Sequence, residues 1–240
     1  MRSRCVETKT ANLRVVIPGR VASRLIVGAH FDGWDLGQGA MDNGLGIAQL
    51  HALAVALRGA QPHHTVELVW FNGEEQGLFG SRHAAAQLGA TPVVAMINLD
   101  MVGVPIAVNA LGDDSLVPAL ERWHAARGEP GRLAKGVENI NWVAGDHTPY
   151  QLAGVRTITF NAPIPREAVR HYHDMADTID KVPPKLINDS AAIIGDLVRA
   201  LAQDESLTAV RRTPEETEKL FTRFGLEKRM RAMGLGAVGK

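Results

Sequence analysis

Apolar residues fall along this chain in short dense runs that alternate with stretches at helical spacing. Residues 13–17 and 25–29 read as strands, and residues 65–71 (TVELVWF) are dense in β-branched and aromatic side chains. Residues 93–99 and 155–160 follow the same pattern. Between them Ile47, Leu50, Leu53, Ala54 and Leu57 recur at helical spacing up to Gly59, and residues 77–88, 115–126 and 184–201 also read as helices. Nearly continuous apolar strands separated by helices predict a sheet covered on both faces, an α/β sandwich. From Thr213 a Thr-Pro-Glu-Glu helix-start signal opens a segment that turns basic at residues 228–231. It reads as a solvated C-terminal helix ending in a frayed GLGAVGK. The expected organisation is therefore one domain over 1–204 and a helical tail over 205–240.

Composition narrows the function. The length of 240 residues fits one large domain against a prior of roughly 150 residues per domain. Cys5 is alone, so the chain contains neither an internal disulfide nor a cysteine-based zinc site. Lys and Arg total 26, as do Asp and Glu, which removes the electrostatic footprint of a nucleic-acid or anionic-membrane binder. The opening MRSRCVETKT lacks the apolar stretch of a signal peptide, which taken literally places the chain in the cytoplasm. The most apolar region, 93–111, is interrupted by Asn98, Asp100, Pro105 and Asn109, so no membrane span is expected.

Ligands in α/β sheets bind at the C-terminal ends of strands, and the polar residues of this chain cluster there. LIVGA runs into His30 and Asp32, VELVWF into Glu74 and Glu75, and VVAMINL into Asp100; GQGAMDNG places Asp42 before a helix. His173 lies in the turn HYHDMADT. Singly each has an ordinary reading: a surface pair, a solvated helix face, an N-cap, a turn residue. Together, the four carboxylates Asp42, Glu74, Glu75 and Asp100 and the two histidines at element ends would repel one another if they converged without cations. Two divalent metals would cancel that charge, and a His-plus-carboxylate set suits zinc, with manganese or cobalt as substitutes.

The ordered stretches AHFDGWDLGQGAMDNGLG, WFNGEEQGLFGS, INLDMVG, AGDHTPYQLAGV and YHDMADTID resemble the co-catalytic dizinc aminopeptidases. The GQGAMD segment points to their plasma glutamate carboxypeptidase branch. The resemblance covers residues 13 to 200 and implies the zinc-peptidase fold, a three-layer α/β/α sandwich with a mostly parallel mixed sheet. It implies two Zn2+ per chain, His30 on one and His173 on the other, Asp42 bridging, and Glu75 and Asp100 each completing one site. Glu74 would be the general base, Asp32 would orient the His30 imidazole, and Tyr172 would donate a hydrogen bond to the oxyanion. Asp146 and His147 match a substrate-side motif, with Gly145 where the family usually has Ser; Asn43 stands where many relatives carry Asp. The implied activity is aminopeptidase or dipeptidase action on short peptides. Nothing in the sequence resembles a dedicated site for a substrate's C-terminal carboxylate, although Arg156 or Arg166 could serve. Relatives carry more chain before the His-x-Asp motif than the 29 residues here, so a shortened N-terminal sheet edge is expected; most of them act outside the cytoplasm. Two alternatives stand beside this reading: a glutaminyl-cyclase-like single-zinc enzyme, and a non-catalytic binding module of the same fold.

Overall fold

A computed structural model describes residues 6–34, 37–127, 133–164 and 169–235. Seven strands form one sheet: β1 Leu13–Ile17, β2 Val21–His30, β3 His64–Phe71, β4 Val93–Asn98, β5 Ala107–Asn109, β6 Gly136–Glu138 and β7 Thr157–Asn161. Their order is β1-β3-β2-β4-β7-β5-β6. The β3-β2-β4-β7 centre is parallel, while β1 on β3 and β5 on β7 are antiparallel. This is the mostly parallel mixed sheet expected from the chain.

Strand β2 shows why the sheet needs cover on both faces. Leu25, Val27 and Ala29 join one buried cluster with Leu50 and Leu53 of helix α1 (Leu45–Ala56) and Ile193, Leu197 and Leu201 of helix α5 (Pro184–Gln203). Ile26 faces the other way, with Val69, Phe71 and Met96, against Ala85 of α2 (Phe79–Ala86) and Tyr150 of α4 (His147–Leu152). Each fully buried Leu or Ile contributes roughly 1.5–3 kcal/mol, so the alternation along β2 fixes its register. Helix α3 (Val117–Ala126) packs Leu120 and Trp123 into the first cluster. Among the described residues β1 is the outer strand, with Leu13, Val15 and Val16 exposed. No helix of the described residues is long and apolar enough to cross a membrane.

The C-terminal segment corrects one expectation. Thr213 caps α6 (Pro214–Arg223) through a reciprocal box: Thr213 Oγ1 accepts from the Glu216 backbone N–H at 3.2 Å and Glu216 Oε2 accepts from the Thr213 N–H at 2.7 Å. The segment is not merely solvated, however. Phe221 of α6, Met230 of α7 (Glu227–Ala232) and Leu235 bury themselves with Leu78 and Val143. The apolar positions that do this are sparse and interleaved with charges, which hides them in the sequence. Residues 236–240 lie outside the described residues.

Candidate active site

The parallel order β3-β2-β4 brings three C-terminal ends side by side. His30 ends β2 opposite Phe71 of β3, and the Leu99 N–H donates to Gly28 O at 2.8 Å, setting Asp100 beside it. The turn after Phe71 carries Glu74 and Glu75. A turn at Ala40–Gly44 delivers Asp42, and the loop before α5 delivers His173, held at φ 58° in the left-handed region that a non-glycine residue occupies at a cost.

Asp42 sits between the two histidines. Its Oδ1 lies 3.2 Å from His30 Nε2 and its Oδ2 3.2 Å from His173 Nε2. Asp100 Oδ1 is 3.5 Å from His30 Nε2, and Glu75 Oε2 is 3.0 Å from His173 Nε2. Two sets of ligand atoms result, His30–Asp42–Asp100 and Asp42–Glu75–His173, each gathered within 4.8 Å. All five residues expected to ligate metal are thus brought together. Glu74 belongs to neither set and lines the same cleft.

Three polar side chains hold this arrangement, and only one was singled out for such a role. Asp32 accepts from the backbone N–H groups of Glu74 and Glu75, both at 3.1 Å. Its carboxylate is 3.7 Å from His30 Nδ1, whereas its backbone oxygen is at 3.0 Å. The imidazole is therefore oriented by the Asp32 carbonyl, and the carboxylate instead clamps the Glu74–Glu75 turn. Buried Asp177 does the same for Asp42, accepting from the N–H groups of Met41 at 2.8 Å and Asp42 at 3.0 Å. Asn43 donates to Leu99 O at 2.8 Å and accepts from the N–H groups of Gly46 and Met101, tying the Asp42 turn to the Asp100 turn. A Cβ on Gly46 would stand 2.6 Å from Leu99 O, so only glycine permits that approach. Asp177 and Asn43 gave no metal-ligand signal because they act through backbone amides.

The electrostatics show what the cluster lacks. Burial, then the charges of Asp100 and Asp146, pushes Glu74 up to about 9. Burial and Asp42 push Glu75 up to about 7. Burial alone would lower His30, but Asp100, Asp32 and Asp42 overturn that and raise it far above the ordinary histidine range. Among the described residues Glu75 Oε1 is buried without a hydrogen-bond partner. Imidazole nitrogens and carboxylate oxygens converging under this repulsion fit divalent zinc, and manganese or cobalt by the same donor chemistry.

Around the cluster lies a cleft of about 420 Å³ walled by Trp142, Val143, Phe160 and Tyr172. Tyr172 stacks on the His173 ring with centroids 3.7 Å apart. Burial and the Asp42 and Asp100 charges push its phenol up to about 12, so it remains an O–H donor. Trp34 is a cluster residue rather than a core one: its Nε1–H donates to Glu75 Oε2 at 2.8 Å.

Two expected substrate contacts are corrected. Asp146 and His147 are buried and are not in the cleft lining; His147 Nε2 lies 3.0 Å from Trp142 O. They support the wall instead of touching what enters. Arg156 is also buried, its Nε and Nη2 donating to Val94 O at 3.1 and 2.8 Å, so it is a structural cation. Arg166 lies outside the described residues.

Asp146 yields a stability prediction. Burial pushes it up to about 7 against the pull of His30. A carboxyl with a raised folded-state pKa stabilises below its unfolded pKa near 4, and that contribution is lost as pH rises through 7. Asp146→Asn should therefore raise the Tm of the metal-free protein at pH 8 and raise it clearly less at pH 5. Equal shifts at both pH values in thermal melts would contradict this.

The comparisons with known proteins agree with this geometry. The model of peptidase family M28 matches residues 12–198. A probable leucine aminopeptidase of Arthroderma otae is 29% identical over 204 residues, which is 78% of this chain and 57% of that protein; the chain thus spans little more than half of that relative. Among solved structures, BSAP, a zinc aminopeptidase from Bacillus subtilis, superposes with a TM-score of 0.68 at 20% identity, over 84% of this chain and 53% of the other. A glutaminyl cyclase from an Acidobacteriales bacterium gives 0.62 at 22% identity, over 79% and 73%. At these identities the structural likeness is one of fold. With the family match extending over the strands, turns and loops that carry all five clustered residues and Glu74, the chain belongs to peptidase family M28.

Proposed function

We propose that this chain is the catalytic part of a zinc-dependent exopeptidase, an aminopeptidase or dipeptidase, that cleaves short peptides next to a free N-terminus. The observation that carries the reading is Asp42, whose two oxygens face two different histidines at 3.2 Å. Support also comes from the family and from relatives named as aminopeptidases.

His30 and Asp100 would hold one Zn2+ and Glu75 and His173 the other, with Asp42 shared. Zinc bound there supplies Lewis-acid polarisation of the scissile carbonyl and acidifies the attacking water. Glu74, free of both ligand sets, takes the water proton and returns it to the leaving amine. Tyr172, an O–H donor at the cleft wall, is placed to stabilise the oxyanion. Asp100 and Glu74 give the cleft a negative end that attracts a free α-amino group.

The test is one dipeptide offered with its N-terminus free and then acetylated. The free form is expected to be cleaved much faster. Equal rates would remove the amine anchor and point to another hydrolase of this fold. A glutaminyl-cyclase-like reading has the fold likeness in its favour, but both ligand sets are complete here, which argues for two metals instead of one.

A further inference from the structure

The cleft has a second, oppositely charged feature that the family match does not cover. Arg229, on α7, lines the same cleft as Asp42, Glu74, Glu75 and Asp100, and it is the one Lys or Arg among the described lining residues. It follows the matched region of 12–198 by some thirty residues. Its helix is fixed in place: Met230 beside it is buried with Leu78 and Val143, and the Arg82 Nη2 donates to Met233 O at 3.4 Å. Nearby Arg212 and Arg223 are held by Asp113 and Asp114, whereas among the described residues no carboxylate pairs with Arg229.

We infer that Arg229 binds the free α-carboxylate of the substrate, making the enzyme selective for dipeptides and other very short peptides. A dipeptide is zwitterionic, with an amine at one end and a carboxylate at the other. A cleft with the Asp100 and Glu74 side chains at one end to accept from the amine and a single guanidinium on its wall matches that pattern, and a guanidinium pairs with a carboxylate through two parallel hydrogen bonds. A volume of about 420 Å³ is on the scale of a small-ligand site. This inference rests on the exopeptidase reading of the same site.

The experiment compares Leu-Gly with its C-terminal amide in the zinc-loaded wild type and in Arg229→Ala and Arg229→Glu. Wild type should favour the free carboxylate in kcat/KM by on the order of 10- to 100-fold, mainly through KM. Arg229→Ala should bring that ratio near one, and Arg229→Glu should invert it. A wild-type ratio near one, or a ratio that survives Arg229→Ala, overturns the inference. A reduced-bond Leu-Gly and its amide, which cannot be hydrolysed, are compared in parallel by calorimetry. The same discrimination in binding, lost on Arg229→Ala, is expected. If neither peptide is turned over, the exopeptidase reading fails on its own, and calorimetry still decides whether Arg229 reads a carboxylate.

Discussion

Glu74→Gln is expected to keep wild-type metal content and lose about 10²–10⁴-fold in kcat, the range a general acid–base group contributes. The reason is positional. Glu74 lies in the cleft with the cluster but belongs to neither set of ligand atoms. Glutamine keeps its shape while abolishing the site that accepts a proton. KM should change far less than kcat, because most of the lost interaction belongs to the transition state and Asp100 keeps its part of the amine anchor. The same change removes a carboxyl group that burial, then the charges of Asp100 and Asp146, push up to about 9, so the metal-free protein should not be destabilised at neutral pH. Near-normal turnover in Glu74→Gln, or loss of metal, would mean that the two adjacent glutamates exchange roles.

Asp42→Ala should behave in the opposite way. One carboxylate serves both ligand sets, so its removal takes an anion from each. Zinc content should fall to one per chain or fewer, and turnover to background. A folding defect is separable from ligand loss. Asp42 raises the pKa of Glu75 by repulsion, a conflict that alanine relieves in the metal-free state, while Asp100 remains as a partner for His30 and Glu75 for His173. The Tm without metal should hold or rise, while the increase in Tm on adding zinc, which measures preferential binding to the folded state, should largely vanish. A large zinc-induced Tm increase retained in Asp42→Ala would exclude Asp42 as the shared ligand.

Much of this was legible along the chain. The expected strands at 13–17, 25–29, 65–71, 93–99 and 155–160 match β1, β2, β3, β4 and β7, because long apolar or β-branched runs between turn residues have few other structures open to them. Strands β5 and β6 escaped notice at three residues each: they form by pairing with β7 and with each other, not from a local pattern. His30, Glu74, Glu75 and Asp100 were legible because they follow strand ends, which place side chains at a known edge of the sheet, whereas Asp42 and His173, on a turn and a loop, were legible only through the ordered motifs of the resemblance. What the chain hid were contacts set by tertiary distance. Asp32 orients His30 through its carbonyl and not its carboxylate, Asp146 and His147 are buried and not in the cleft lining, and Arg156 bonds to Val94 O. Arg229 sits in a basic stretch that reads as solvated surface until Met230 pins its helix to Val143.

The central claim is that the cluster around Asp42 holds two metal ions. The direct measurement is zinc per folded chain by elemental analysis after loading and removal of excess metal, on the wild-type protein. The account predicts close to two, with peptidase activity lost on exhaustive chelation and restored by zinc. One zinc per chain would favour the glutaminyl-cyclase-like reading, and none, or activity that survives chelation, would contradict the account.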